Sequence, residues 1–312
     1  MNLLNFVTSY PDETSCRKKF KEIREKEGVV CPKCGSKEHY WKKDKECYEC
    51  KHCHTRQSLR ANTVMHGSQL PFRYWFIAFH LLTGAKKSFS AAEIQRQLGH
   101  KYYEPVWAMV HKIRIVMGKR DSRYNLSGTI ELDEGFFSTE IKEEEKDKPL
   151  KRGRGSQKKS KVLVMAESQP VEGKTTKKGK PRKVGHLKMV VIGDLSSETI
   201  TPLVESNISK ESAIDSDDST SYCKLKDAVR EHRPMVIPKN EISKELPWVH
   251  IAISNAKRVL LDVFHDIKPE YLQNYLNEFC YKFNRRYFAE SLFDRLLIAA
   301  VSYKNSFSYS IR

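Results

Sequence analysis

The sequence predicts an α+β chain of several domains: a small cysteine-built ribbon, a helical segment, and an α/β domain that ends in helices. Three observations predict it. Two C-x2-C pairs, Cys31-Pro32-Lys33-Cys34 and Cys50-Lys51-His52-Cys53, stand fifteen residues apart. Apolar residues at helical spacing dominate from Phe72 to Val116. Beyond about residue 125 the pattern turns to β-rich runs, and after about residue 250 it is helical again. The expected boundaries are 1–66 with the ribbon at 31–53, 67–122 for the helical segment, and 123–312 for the α/β domain. At roughly 150 residues per domain, 312 residues suffice for about two domains and a sizeable core.

Charge narrows the class of partner. There are 56 Lys+Arg against 39 Asp+Glu, a net charge of +17 and a pI near 9.4. Such an excess says little about fold but points to a polyanion as partner: DNA, RNA or an anionic membrane. Hydrophobic residues at 39% and aromatics at 10% exclude a mainly disordered chain. The longest apolar stretches, Trp75 to Leu82 and Leu296 to Val301, fall far short of the roughly 20 residues a membrane span needs. The first residues, MNLLNFVTSYPDETSCRKKF, lack the basic start, apolar run and small-residue site of a secretory signal. The expectation is a cytoplasmic, nucleoid-associated protein with reduced cysteines.

Thiolates favour zinc, and a C-x2-C turn lets two sulfurs reach one tetrahedral centre. Cys31, Cys34, Cys50 and Cys53 are therefore the expected ligands of a structural zinc ion. Gly35 suits the tight turn after the first pair. His52 and His54 are substitutes that break the symmetry, and Cys47 is a spare beside the site. Cys16, Cys223 and Cys280 are isolated and read as small buried hydrophobes.

The helical segment comes next. Ser90 and Glu93 have the spacing of a capping box, Ile94 and Leu98 are four apart, and Gly99 ends the helix. After a short turn, Val106, Met109, Val110, Ile113 and Val116 mark one face of another helix. Lys112, Arg114 and Lys119 are expected to be exposed. Two helices around a Gly-containing turn, the second one basic, fit a DNA-binding helix-turn-helix.

Thr129 to Asp133, Lys161 to Ala166 and Leu187 to Ile192 read as strands. The Lys- and Gly-rich stretches 151–155 and 174–183 read as connecting loops suited to a phosphate backbone. Ser212 to Ser216 and Met235 to Ile237 are short candidate strands. Helices are expected at His250 to Phe264, Tyr271 to Phe283 and Glu290 to Tyr303. Three antiparallel strands followed by alternating helices and strands is the order of an RNase H-like fold. Asp133 ends the first strand beside Glu131 and Glu134, and Asp217 ends the fourth beside Asp215 and Asp218. Carboxylates at neighbouring strand ends make an oxygen-lined site for divalent ions that act on a phosphodiester. The residues alone do not choose among these acids.

With these motifs in place, the chain resembles insertion-sequence transposases of the ISXO-like group, with a zinc-ribbon N-terminus and a DDE-type catalytic domain. The resemblance rests on CPKCG at 31–35, YECKHC at 48–53, LPFRYWFIAF at 70–79 and IELDEGFF at 130–137. It continues through KRGRGSQKK at 151–159, SDDSTSY at 216–222 and the long stretch from Trp248 to Arg286. It implies that Asp133 is the first catalytic aspartate and Asp217 the second. The third acidic position falls on His250, a departure from the glutamate typical of DDE enzymes, and the group's lysine falls on Lys257. Seven residues are close to two helical turns, so His250 and Lys257 share a helix face. The resemblance further implies Mg²⁺ or Mn²⁺ at the catalytic site, binding to terminal inverted repeats and target DNA, and a homodimer or higher oligomer. Imidazole suits softer ions better than Mg²⁺. The rival expectation is a domesticated or decayed transposase that only binds DNA as a regulator. A weaker one is a nuclease or RNA-processing enzyme on the same fold.

Overall fold

The computed structural model describes residues 1–170, 182–236 and 245–304. The chain forms two compact units: Met1–Arg120 together with the residues from Arg285 onward, and Asp121–Asn284.

The first unit begins with α1 (Leu3–Ser9) and α2 (Glu13–Glu27). Asp12 and Ser15 form a reciprocal capping box at the start of α2, and Gly28, at φ 92°, ends it. An antiparallel sheet follows, ordered β1 (His39–Lys42), β2 (Cys47–Cys50), β3 (Arg56–Ser58). Then come α3 (Phe72–Gly84), α4 (Ala91–Leu98) and α5 (Tyr103–Asp121). Pro71, at the N-cap of α3, supplies no side-chain acceptor. The Glu13 carboxylate does so instead, accepting from Phe72 N at 2.9 Å and Arg73 N at 2.8 Å. At α4 the expected cap is half realised. Ser90 accepts from Glu93 N at 3.0 Å, but the Glu93 carboxylate turns to Arg96 and Gln97.

The expected stripe on α5 is buried throughout, but the expected basic face is not exposed. Arg114 is 1% accessible and donates to Phe89 O at 3.2 Å. Lys112 and Lys119 are half-buried and donate to the carbonyls of His66 and Lys304. Ala108, His111 and Met117 are buried as well, so α5 is covered on most sides. Its open end is the N-terminal one, where Lys101, Tyr102 and Tyr103 are exposed.

The second unit is built on one mixed five-stranded sheet. Its strands are β4 (Thr129–Ser138), β5 (Lys159–Pro170), β6 (Arg182–Ile192), β7 (Ala213–Asp217) and β8 (Glu231–Met235), ordered β6-β5-β4-β7-β8. The β4-β5 and β5-β6 pairs are antiparallel, and β4-β7 and β7-β8 are parallel. Helices α6 (Ser197–Asn207), α7 (Leu225–Ala228), α8 (Pro247–Val263) and α9 (Leu272–Asn284) complete it. Side-chain alternation sends neighbouring strand residues to opposite faces. Val162, Val164 and Ala166 pack against α8 and α9, while Leu163 and Met165 pack under α6 with Ile130, Leu132 and Ile214. Of the expected loop 174–183, Arg182 and Lys183 belong to β6, and 174–181 lie outside the described residues. The expected strand at 235–237 is displaced upstream to 231–235, and Ile237 lies outside the described residues. Cys16 and Cys280 are buried as expected, whereas Cys223 is exposed.

The last helix, α10 (Leu292–Ser302), belongs to the first unit, whereas the sequence places 285–312 with the second domain. The reason is its apolar surface. Leu292, Phe293, Leu296, Leu297, Ala299, Ala300 and Val301 are all buried. The Phe293 ring meets Phe6, Tyr10 and Phe76, and Val64 N donates to Ala300 O at 2.9 Å.

A buried carboxylate anchors the entry to β4. Glu167 accepts from Tyr124 Oη at 2.8 Å, Ser127 N at 3.0 Å and His186 N at 2.7 Å. Burial raises its pKa, but the hydrogen bonds from His186, Tyr124 and Ser127 outweigh that and leave it below the ordinary 4.5. A carboxylate whose folded pKa is depressed adds stability above its unfolded value, and that stability is lost as pH falls through the folded value. The melting temperature of wild type should therefore fall below about pH 4.5. Glu167→Gln should be less stable at pH 7 and lose less on acidification. Parallel pH profiles for the two proteins would refute this.

Candidate functional site

Two clusters of ligand-type side chains stand out among the described residues, one in each unit.

In the first unit the four expected cysteines converge. Their sulfurs all lie within 4.8 Å of one another, with Cys31–Cys53 and Cys34–Cys50 both at 3.5 Å. Sulfurs around a tetrahedral zinc at about 2.3 Å sit about 3.8 Å apart, so the donor set fits that ion. Two matched turns build it. Gly35 N donates to Cys31 O, and His54 N to Cys50 O. Cys31 N donates to Ser36 O, and Cys50 N to Thr55 O. Gly35 and His54 take the same left-handed conformation, at φ 72° and 57°. His54 thus fills a backbone role, and neither it nor His52 joins the cluster. Hydrogen bonding to Thr55 holds the Cys53 thiol down at about 6. Cys34 goes up to about 12: the Ser36 backbone lowers it, but hydrogen bonds to the other sulfurs and desolvation outweigh that. Thiols this close cannot all ionise without a cation among them. Helix α2 supports the sheet from below. Arg24 is buried, donates to the carbonyls of Ser58 and Leu59, and lies 5.2 Å from the Tyr48 ring.

In the second unit the carboxylates gather where β4 and β7 part. Their parallel pairing ends at Leu132↔Ser216, so Asp133 and Asp217 occupy the next position on each strand. Strand β4 itself runs on to Ser138, so Asp133 lies within it and does not end it. Carboxylate oxygens of Asp133, Glu134 and Asp217 lie within 4.8 Å of one another. The sequence offers Glu134 only as one of the acids beside Asp133, and alternation puts it on the opposite face from Asp133. It joins the group because no β7 residue pairs beyond Leu132.

The other acids have different work. Asp215 is buried and ion-paired with Arg182 at 3.2 Å and Arg233 at 3.6 Å. Asp218 is exposed. Glu131 is fully buried, and its Oε2 accepts from Trp248 N at 2.6 Å and Val249 N at 3.1 Å. These are the first free N–H groups of α8, whose own N-cap, Leu246, has no side-chain acceptor. Burial raises the Glu131 pKa, and the helix N–H groups oppose that.

Helix α8 carries the two remaining expected residues. His250 Nδ1 faces Asp133 Oδ2 at 3.4 Å, and its Nε2 is buried without a hydrogen-bond partner. Burial lowers its pKa, so the imidazole is neutral at pH 7. Lys257 lies further along the helix, its Nζ 5.7 Å from the centre of the Phe137 ring. Burial and the charge of Lys159 lower its pKa, and Asp133 opposes them. Lys257 and Lys159 line a cavity of about 440 Å³ with Phe136, Phe264 and His265. Tyr222 packs under the carboxylates, 1% accessible. Burial first, and the charge of Glu134 second, push its pKa up, so the hydroxyl keeps its proton.

Four thiols in one unit and three carboxylates converging on a mixed sheet in the other are two groups able to hold metal ions. Residues 125–284 match the ISXO2-like transposase domain, and residues 11–56 match a transposase zinc-ribbon domain. The first match alone covers just over half of the chain, and the chain belongs to this insertion-sequence transposase family. The match stops at residue 284, where the second unit also stops. The chain is also 25% identical over 177 residues to an uncharacterized protein in transposable element ISH50 of Halobacterium salinarum. That stretch covers 52% of this chain and 57% of that relative.

Two measurements check this construction. Purified protein should carry about one zinc per chain by elemental analysis. Cys31→Ser should lose the metal and open residues 28–58 to protease, and retention of full zinc would count against the four-cysteine site. Glu131→Ala should lower stability by about 2–3 kcal/mol, since it leaves two buried N–H groups without an acceptor. Glu131→Gln should fall in between. Unchanged melting of Glu131→Ala would show that the helix start is satisfied in another way.

Proposed function

We propose that the protein is a DNA transposase that binds the terminal inverted repeats of its element, cleaves at the ends and joins the freed 3′-hydroxyls to target DNA. The observation that supports this best is the placement of Asp133 and Asp217 side by side where β4 and β7 separate, in a chain of this family. The β6-β5-β4-β7-β8 order, with helices on both faces, agrees with an RNase H-like reading of the second unit.

Asp133 and Asp217 would hold Mg²⁺ or Mn²⁺, and their oxygen donors suit either ion. Bound there, the metal supplies Lewis-acid stabilisation of the attacking and leaving oxygens. The protein's own share is positioning, which dominates phosphoryl transfer. Glu131 fixes the start of α8, so His250 is held against Asp133. A neutral imidazole with Nδ1 toward that carboxylate keeps it oriented. Lys257, beside Lys159, offers positive charge to the DNA backbone from the same helix face.

DNA capture falls to the first unit. The exposed tip Lys101-Tyr102-Tyr103 at the start of α5 is where a recognition helix presents its base-reading residues. Exposed Lys33, Lys37, Lys43 and Lys45 on the ribbon offer phosphate contacts. With a net charge of +17, binding should weaken steeply with salt. Pairing of two element ends calls for a dimer or higher oligomer on DNA.

A strand-transfer assay tests the reading. It uses DNA with the element's own ends, Mg²⁺ or Mn²⁺, and Asp133→Asn as control. Wild type should give joined products, with Mn²⁺ at least as effective as Mg²⁺, and Asp133→Asn should give none. Specific end binding without cleavage by wild type would replace the transposase reading with that of a DNA-binding regulator.

A further inference from the structure

The geometry points to Glu134 as a third carboxylate ligand for the divalent cation held by Asp133 and Asp217, with the buried hydroxyl of Tyr222 as its positioning group. This inference rests on the transposase reading of the site and extends its ligand set.

Three observations carry it. First, Asp133, Glu134 and Asp217 each place a carboxylate oxygen within 4.8 Å of the other two, and no imidazole nitrogen of His250 joins that group. Second, the strands explain how consecutive residues reach one point. Asp133 extends from the face toward α8, and Glu134 from the face that packs Leu132 and Tyr222. The β4-β7 pairing ends one residue before Asp133, so the Glu134 side chain can pass the open edge. Third, Tyr222 is 1% accessible and its hydroxyl has no complete hydrogen bond, yet Glu134 is the carboxylate it faces, with Asp133 and Asp217 next.

A sealed hydroxyl beside three acids is a poor choice for packing alone. As a donor to one Glu134 oxygen it would turn the other toward Asp133 and Asp217. Three carboxylates make an all-oxygen face of the kind Mg²⁺ and Mn²⁺ prefer. His250 then need not be a ligand. Its Nδ1 contact with Asp133 leaves it as a partner of a ligand, the usual arrangement around such ions in reverse order.

The test is a Mn²⁺ titration of the zinc-loaded, full-length protein without DNA, followed by electron paramagnetic resonance. Asp133→Asn sets the scale for loss of an assigned ligand. Glu134→Gln should weaken Mn²⁺ binding about tenfold or more, and Glu134→Asp should restore part of it. Tyr222→Phe removes only the hydroxyl and should weaken binding by about tenfold, with melting temperature and zinc content unchanged. Wild-type affinity in Glu134→Gln, with Asp133→Asn impaired, overturns Glu134 as a ligand and leaves the transposase reading standing. Wild-type affinity in Tyr222→Phe, with Glu134→Gln impaired, overturns the role of the hydroxyl. Wild-type affinity in Asp133→Asn, or no saturable binding by wild type, overturns the carboxylate site itself.

Discussion

One buried carboxylate ties the second unit together. Glu131 sits on β4, two residues before Asp133, and accepts the first free N–H groups of α8. It fixes the position of a helix start relative to a strand, and both carry candidate site residues. The helix cannot slide or rotate without leaving two donors and a buried charge unpaired, a loss of several kcal/mol in order of magnitude. His250 comes one residue after the capped Val249. Its distance from Asp133 is therefore a consequence of the cap. The first unit uses the same device, where Glu13 of α2 caps α3. Both helices begin at Pro-containing starts that offer no side-chain acceptor of their own.

Neighbouring acids on one sheet are sorted by what faces them. Asp215 is adjacent to Glu131 across β4 and β7 and meets two arginines. Glu131 meets a helix N-terminus. Asp215 is thereby ion-paired inside the protein, and one oxygen of Glu131 is taken by the helix start while its Oε1 is buried without a hydrogen-bond partner. Two positions further along the strands, the carboxylates of Asp133 and Asp217 converge instead, and Glu134 swings in beside them. Like charges so close are tolerable where a divalent ion balances them.

Much of this was legible because it is local. The C-x2-C spacing fixed the four thiols, since the turn geometry lies within five residues. The apolar stripes located α5, α8 and α9, an alternating run located β4, and β-rich runs located β5 and β6. Other features were hidden because they depend on contacts distant in sequence. Arg114 looks like an exposed basic residue on a helix, yet it is buried and donates to Phe89 O, twenty-five residues upstream. The stretch from Arg285 looks continuous with the preceding helices, yet its apolar faces fit α2 and α3. Glu134 falls on the wrong side by simple alternation, and only the point where β7 stops admits it to the site.

The sequence by itself determined the ribbon, several of the strands and helices, and the family, through motifs whose chemistry is set by short spacings. It also supplied Asp133, Asp217, His250 and Lys257 as candidates. The tertiary structure alone decided which acids are structural and which converge. A side chain's role depends on the charge and hydrogen-bond donors facing it, and those come from strands and helices tens to more than a hundred residues away.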